Sequence, residues 1–284
     1  MLKSDVNDIN DGVGELKVTA MHLASINGHV DAIKALIEMG ADISAKADGG
    51  WTALHWAAGG GHHDVVALLL DKDTEVAATD KDGQTALHQA AWGGHTDVVA
   101  LLLDKNADIA AMDNDGSTAL HRAAGGGHKD VVALLLDKGV DVAATDDRWT
   151  ALHRVAGGGH KDVVALLLDK GANVAARAND GSTALHRAAG RGHKDVVALL
   201  LDNGADVAAR ANDGSTVLHR AAWRGHKDVV ALLLDEMEGA DVAAEDTVFG
   251  RTALRWAAEN GHKDVVELLK RWALEKESSR IGIK

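Results

Sequence analysis

The chain has 284 residues, 46% of them hydrophobic and 26% charged, with no Cys, no Pro and a formal net charge of -13. The lack of Cys excludes a disulfide framework and any Cys-based zinc site, and no apolar run matches a membrane-spanning helix or a signal-peptide core. The acidic balance disfavours general nucleic-acid binding, which calls for a basic surface, and the expectation is an intracellular, cytoplasmic protein that does not engage membranes.

Residues 1–18 stand apart from the rest of the chain. Asp5-Val6-Asn7 with Asn10-Asp11-Gly12 reads as the finger of a preceding repeat or as a degenerate cap. From residue 19 a Thr-x-x-His unit recurs. Thr19, Thr52, Thr85, Thr118, Thr150, Thr183, Thr216 and Thr252 share one position, at steps of 33, 33, 33, 32, 33, 33 and 36 residues. A period of this length means a stack of small units rather than one globular core.

One unit can be read physically. In Thr216-Val217-Leu218-His219-Arg220-Ala221-Ala222, Thr is a good N-cap for a short Ala-rich helix that lets a neighbour approach closely. Gly225-His226 breaks the chain before Asp228–Leu234, a second helix with a broad apolar face. A left-handed glycine such as Gly139, Gly171 or Gly204 suits its end. An extended stretch, Asp206–Arg210, and the turn Asn212-Asp213-Gly214 lead into the next Thr.

The unit resembles the ankyrin repeat, whose signature is Thr-Pro-Leu-His-x-Ala at a period of about 33 residues. Motif, spacing and the Gly-His break match in register over residues 19–272. The family's Pro is replaced by Ala, or by Val217, in every copy, a change an N-terminal helical position accepts. The resemblance implies an all-α ankyrin-repeat solenoid, each repeat a helix-turn-helix with a β-hairpin-like finger. It divides the chain into residues 1–18, a single eight-repeat array at 19–272, and a capping helix end with a frayed tail at 273–284, with fraying expected over 278–284.

Two copies break register. The finger Thr145-Asp146-Asp147-Arg148-Trp149 is one residue short, and the seventh repeat gains three residues across Glu236-Met237-Glu238 and Thr247-Val248-Phe249. Both drift, which loops absorb readily, and a finger reshaped to touch a ligand fit this pattern.

Of 16 His, all but His63 recur with the period, at the Thr-x-x-His unit or after the helix-break Gly. The resemblance implies that they hydrogen-bond turns within and between repeats. His62-His63-Asp64 is the one weak metal candidate, and neither a metal nor a cofactor is expected. No Gly-x-Ser-x-Gly elbow or phosphate-binding loop is present, and the periodic carboxylates read as solvated faces. No catalytic residue is expected.

With the repeat subtracted, Trp and Arg remain. Trp51 and Trp149 precede a Thr on the finger, Trp56 and Trp256 follow the Thr-x-x-His position, and Trp92 and Trp223 lie near the ends of first helices, while Trp272 reads as a capping contact. Every Arg lies from residue 122 onward. Arg122, Arg154, Arg187 and Arg220 are equivalent and should form a ladder spaced about 10 Å apart, the width of a helix. Arg191 and Arg224 end their first helices. The resemblance implies that fingers and first helices line a concave side that contacts partners, and Trp and Arg dominate binding hot spots. Gly59, Gly125 and Gly157 open space beside Trp56, Arg122 and Arg154. The expected function is a non-catalytic, monomeric protein-interaction module whose Trp/Arg-rich groove takes an acidic and hydrophobic segment. The alternative is a small-molecule site or enzyme in a Trp/Arg-lined pocket. Nucleic-acid binding by the same residues is a third, weaker reading.

Overall fold

The computed structural model describes residues 17–72, 74–236 and 242–280, with side chains through residue 276. The expected finger remnant at 5–12, residues 237 and 238 of the insertion, and 281–284 of the tail lie outside the described residues.

Every repeat starts from its Thr. Thr183 is extended, at φ -100 and ψ 170, and the helix Ala184–Arg191 begins immediately after it. A capping box closes this end. The Thr183 N–H donates to Nδ1 of His186 at 3.2 Å, and Thr183 Oγ lies 2.9 Å from the same nitrogen. Imidazole thus fills the third helical position where Glu or Gln is usual. Such short helices are marginal alone, so caps and packing hold them.

The first helix ends at Gly192, with φ +80, and a Cβ there would lie 2.6 Å from Nδ1 of His226 in the next repeat. Backbone conformation and close approach both require glycine at this point. The second helix Lys194–Asp202 then carries Asp195 in its first turn, favourably placed for the helix dipole, and buries Val196, Val197 and Leu200.

The described chain divides into two compact units, Met1–Asp141 with Thr145–Asp147, and Val142–Ala144 with Arg148–Lys284. In the first unit the first helices Ala20–Ile26, Ala53–Gly59, Ala86–Gly93 and Ala119–Gly126 pack in succession. Their second helices are Val30–Glu38, His63–Leu70, Thr96–Asp104 and Lys129–Asp137. In the second unit the first helices are Ala151–Gly158, Ala184–Arg191, Val217–Arg224 and Ala253–Glu259, again packed in sequence. Lys161–Asp169, Lys194–Asp202, Lys227–Glu236 and Lys263–Arg280 are their second helices. Each unit is thus an all-α repeat stack. The last helix continues through Arg280.

The core is built of small and branched aliphatics. Ala57, Ala58, Ala188 and Ala189 are wholly buried, which lets first helices approach closely, and Leu54, Leu135, Leu167 and Leu200 fill the space between the layers. No Trp or Phe among the described residues is buried, so the aromatics are left to the faces.

Within each unit, histidines tie repeats to their neighbours. The Thr N–H donates to Nδ1, which assigns the ring proton to Nε2. That nitrogen reaches the next finger: His55 to the Gln84 carbonyl at 2.9 Å and His88 to Ser117 at 2.9 Å in the first unit, and His153 to Ser182, His186 to Ser215 and His219 to Arg251 at 3.2, 3.3 and 3.0 Å in the second. The histidine after the helix break reaches backward: His95 to Gly59 and His128 to Trp92 in the first unit, and His193 to Gly157, His226 to Gly190 and His262 to Trp223 in the second.

The fingers are tight turns, with an isolated antiparallel bridge between Arg210 and Thr216. The residue five before the Thr donates its N–H to the carbonyl just before the Thr. Ala47, Asp80 and Asp113 do so in the first unit, and Ala178 and Ala211 in the second, at 2.8–3.0 Å. In the lengthened finger Asp246 makes the same bond to Arg251 at 3.0 Å.

Candidate functional site

In the first unit, Trp51 on a finger and Trp56 on the following first helix are both half-buried and pack together, with ring centroids 4.5 Å apart and planes tilted by 45°. The Trp56 indole N–H is buried without an acceptor. Trp92 stands 59% exposed at the end of its helix. Arg122, by contrast, is committed inward. Its Nη2 donates to Oδ2 of Asp113, whose Oδ1 accepts the N–H groups of Asp115 and Ser117. Burial works to raise the Asp113 carboxyl, but the hydrogen bonds from Arg122 and Ser117 outweigh it and hold it below the usual carboxylate range.

The second unit brings more of the candidate residues together. The Arg187 guanidinium lies 3.9 Å over the Trp149 ring, and that of Arg154 lies 5.6 Å from the same ring. Such stacking is a cation–π contact that fixes the plane of the guanidinium. A Cβ at Gly157 would lie 3.2 Å from Nη2 of Arg187. The space that this glycine opens is therefore filled by Arg187 of the next repeat, whereas beside Gly125 a Cβ would meet nothing within 4 Å. Burial, and then the like charge of Arg191, depress the Arg187 pKa, with Arg154 and Arg220 adding to the effect and Asp180 opposing it.

Two adjoining pockets open on this face. One is lined by Asp180, Ser182, His186, Arg187, Gly190, Arg191, Arg220, Trp223 and Arg224, and is cationic. The other, of about 240 Å³, is lined by Asp213, Ser215, His219, Arg220, Trp223, Asp246, Val248, Phe249 and Trp256. Trp223 and Arg220 belong to both. The aromatic wall is continuous: Trp223 and Trp256 lie 6.1 Å apart, and Phe249 meets Trp256 edge-on at 5.7 Å. Asp246 organises it, accepting the Trp256 indole N–H at 2.8 Å and the Phe249 backbone N–H at 2.6 Å. Arg251 caps both rings at about 4.5 Å and pairs with Glu259 at 2.9 Å.

Val248, Phe249 and Asp246 were not among the candidate binding residues; the signal for them was the register break, which places an extra aromatic on a finger. Trp272 is half-buried under Lys276 at 5.4 Å, and His63 meets Asp64 at 3.3 Å on the surface.

The family model for ankyrin repeats matches residues 1–80, 73–146, 143–211, 175–246 and 209–278. The chain belongs to the ankyrin-repeat family. Ankyrin repeats are in general protein–protein interaction modules. The comparison with curated proteins gives no match. Among the described residues no helix is long and apolar enough to cross a membrane.

Proposed function

We propose that this ankyrin-repeat array binds a protein segment in which an apolar or aromatic side chain stands beside acidic residues. The observation that carries this reading is the pair of pockets sharing Trp223 and Arg220, one apolar and one cationic. Trp223 and Phe249 are 38% and 60% exposed, and large rings shown to water in a cluster mark an interaction surface. Arg is suited to carboxylates because its planar fork pairs with them bidentately. In the second unit the residues that would make contact are Trp149, Arg154, Arg187, Arg191, Arg220, Trp223, Arg224 and Trp256; the first unit offers Trp51, Trp56 and Trp92, while its Arg122 is engaged by Asp113.

The apolar pocket, about 240 Å³, falls below the ~300–1,000 Å³ usual for small-molecule sites. It is the size of a side chain, which favours a peptide over a free compound. Selection from a random-peptide display library tests the proposal. Enriched sequences should pair an aromatic or Leu/Ile residue with neighbouring Asp or Glu, and Trp223→Ala with Arg191→Glu should abolish their binding while helical content is kept. Enrichment of basic sequences, or binding that survives the double variant, would sink it.

A further inference from the structure

The residue four after the Thr lies near the finger, and at some repeats a finger carboxylate meets it. Asp113, five before its Thr, binds Nη2 of Arg122, whose Nε keeps no acceptor, and Asp246, six before its Thr, binds the Trp256 indole. Where Ala stands five before the Thr, that carboxylate is missing. With Ala47 in that place the Trp56 indole N–H has no acceptor, and with Ala178 the Arg187 Nε has none. Arg220, opposite Ala211, is rescued by Ser215 Oγ and Asp213 Oδ2, each at 3.0 Å.

Arg187 is not rescued. Its nearest carboxylate, Asp180, gives Oδ1 to the N–H and hydroxyl of Ser182 at 2.9 and 2.5 Å. Stacking on Trp149 meanwhile holds the guanidinium plane in place. A half-buried guanidinium held by stacking, its Nε without an acceptor, in the lining of a pocket that also holds Arg191 and Arg224, is prearranged for an anion, and little ordering cost is left for binding.

We propose that Arg187 is the anchor for one Asp or Glu carboxylate of the bound segment, which takes the place that Asp113 occupies against Arg122. This rests on the peptide-binding reading above. A carboxylate fits better than a phosphoryl group because Asp180 lines the same pocket and would repel a dianion more strongly than a monoanion.

Two variants and a small-anion probe test the anchor. Ala178→Asp restores the internal carboxylate at a position where Asp113 already shows it to fit. Arg187→Lys keeps the charge and loses the fork. The Arg187 Nε–Hε resonance is followed by NMR during titration with acetate, with inorganic phosphate and with sodium chloride at matched ionic strength. The expected result is a saturable shift with acetate in the parent protein, none with chloride, and none with acetate in Ala178→Asp. Affinity for a library-selected acidic peptide should fall about tenfold in both variants. No acetate shift, an equal shift in Ala178→Asp, or a response to phosphate alone overturns the anchor. If peptides bind and are lost on Trp223→Ala while Arg187 ignores acetate, the anchor fails and the peptide-binding reading stands. If acetate shifts Arg187 and no peptide binds, the reverse holds.

Discussion

Phe249 stands edge-on to Trp256, with their planes 84° apart, and both are held by the single buried carboxylate of Asp246. The pair builds the wall of the apolar pocket from a finger that is longer than its neighbours. Phe249→Ala should therefore lower peptide affinity several-fold and cost less than about 1 kcal/mol of stability, because the ring is largely exposed and buries little new area. Asp246→Ala should cost about 1–3 kcal/mol, since it leaves the indole N–H and the turn amide unpaired. Urea denaturation of both variants checks the order, and equal losses would contradict the assignment of roles.

Asp113 has two separable jobs, with Oδ1 ordering the finger and Oδ2 neutralising Arg122. Asp113→Asn can keep the turn bonds and removes the charge, while Asp113→Ala removes both. The expected cost is about 1 kcal/mol for Asn and about 2 kcal/mol for Ala, with the charge contribution reduced because the Arg122 side chain is 21% exposed. Hydrogen exchange at the Ser117 amide should accelerate in the Ala variant alone.

The capping histidines make the stack sensitive to acid. Burial lowers the pKa of His22, His55, His88, His153 and His219, and brings that of His186 down to about 4. Each Nδ1 accepts the Thr N–H, so a proton there sets donor against donor. The unfolded chain binds the proton near pH 6.5 and the fold resists it. The stability is thus fully present above about pH 6.5 and is lost as the pH falls toward the folded value, by on the order of 3 kcal/mol for His186 at pH 4. Urea midpoints at pH 7.5, 6 and 5 should drop steadily. His186→Gln, which can keep a capping box, should flatten that slope, and an unchanged slope would remove His186 from the account.

Peptide binding through the Arg pocket should weaken by about tenfold between 50 and 500 mM NaCl, as exposed charges are screened beyond the Debye length. Isothermal titration at several salt concentrations checks this. A flat response would leave the aromatic pocket as the sole contributor.

The repeat boundaries were plain in the sequence because Thr, His and Gly each hold a position that backbone geometry requires. The exclusion of Trp from the core was also legible, from a core already full of Ala, Val and Leu. The fate of each Arg was not. Arg122, Arg187 and Arg220 are identical letters at one register position, yet the first is paired internally, the second stacks on Trp149, and the third leans on Ser215. Their difference lies seven to nine residues upstream on the finger, in Asp113, Ala178 and Asp213, and it shows only once finger and helix are brought together. Phe249 was visible as an insertion, but its folding back onto Trp256 follows from Asp246, whose place in the turn the longer spacing concealed.

The histidine bonds also govern how the chain can change length. His226 reaches the Gly190 carbonyl across 36 residues, and His262 makes the same bond to Trp223 across 39, at 3.0 Å. The three added residues are accommodated between the repeats without moving either end of that bond. Gains and losses of sequence are therefore tolerated in the fingers and in the links that lead to them, or as whole repeats, whereas a partial deletion within the paired helices would strand a donor on each side. Evolution can lengthen a finger or copy a repeat here while the rest of the stack keeps its register.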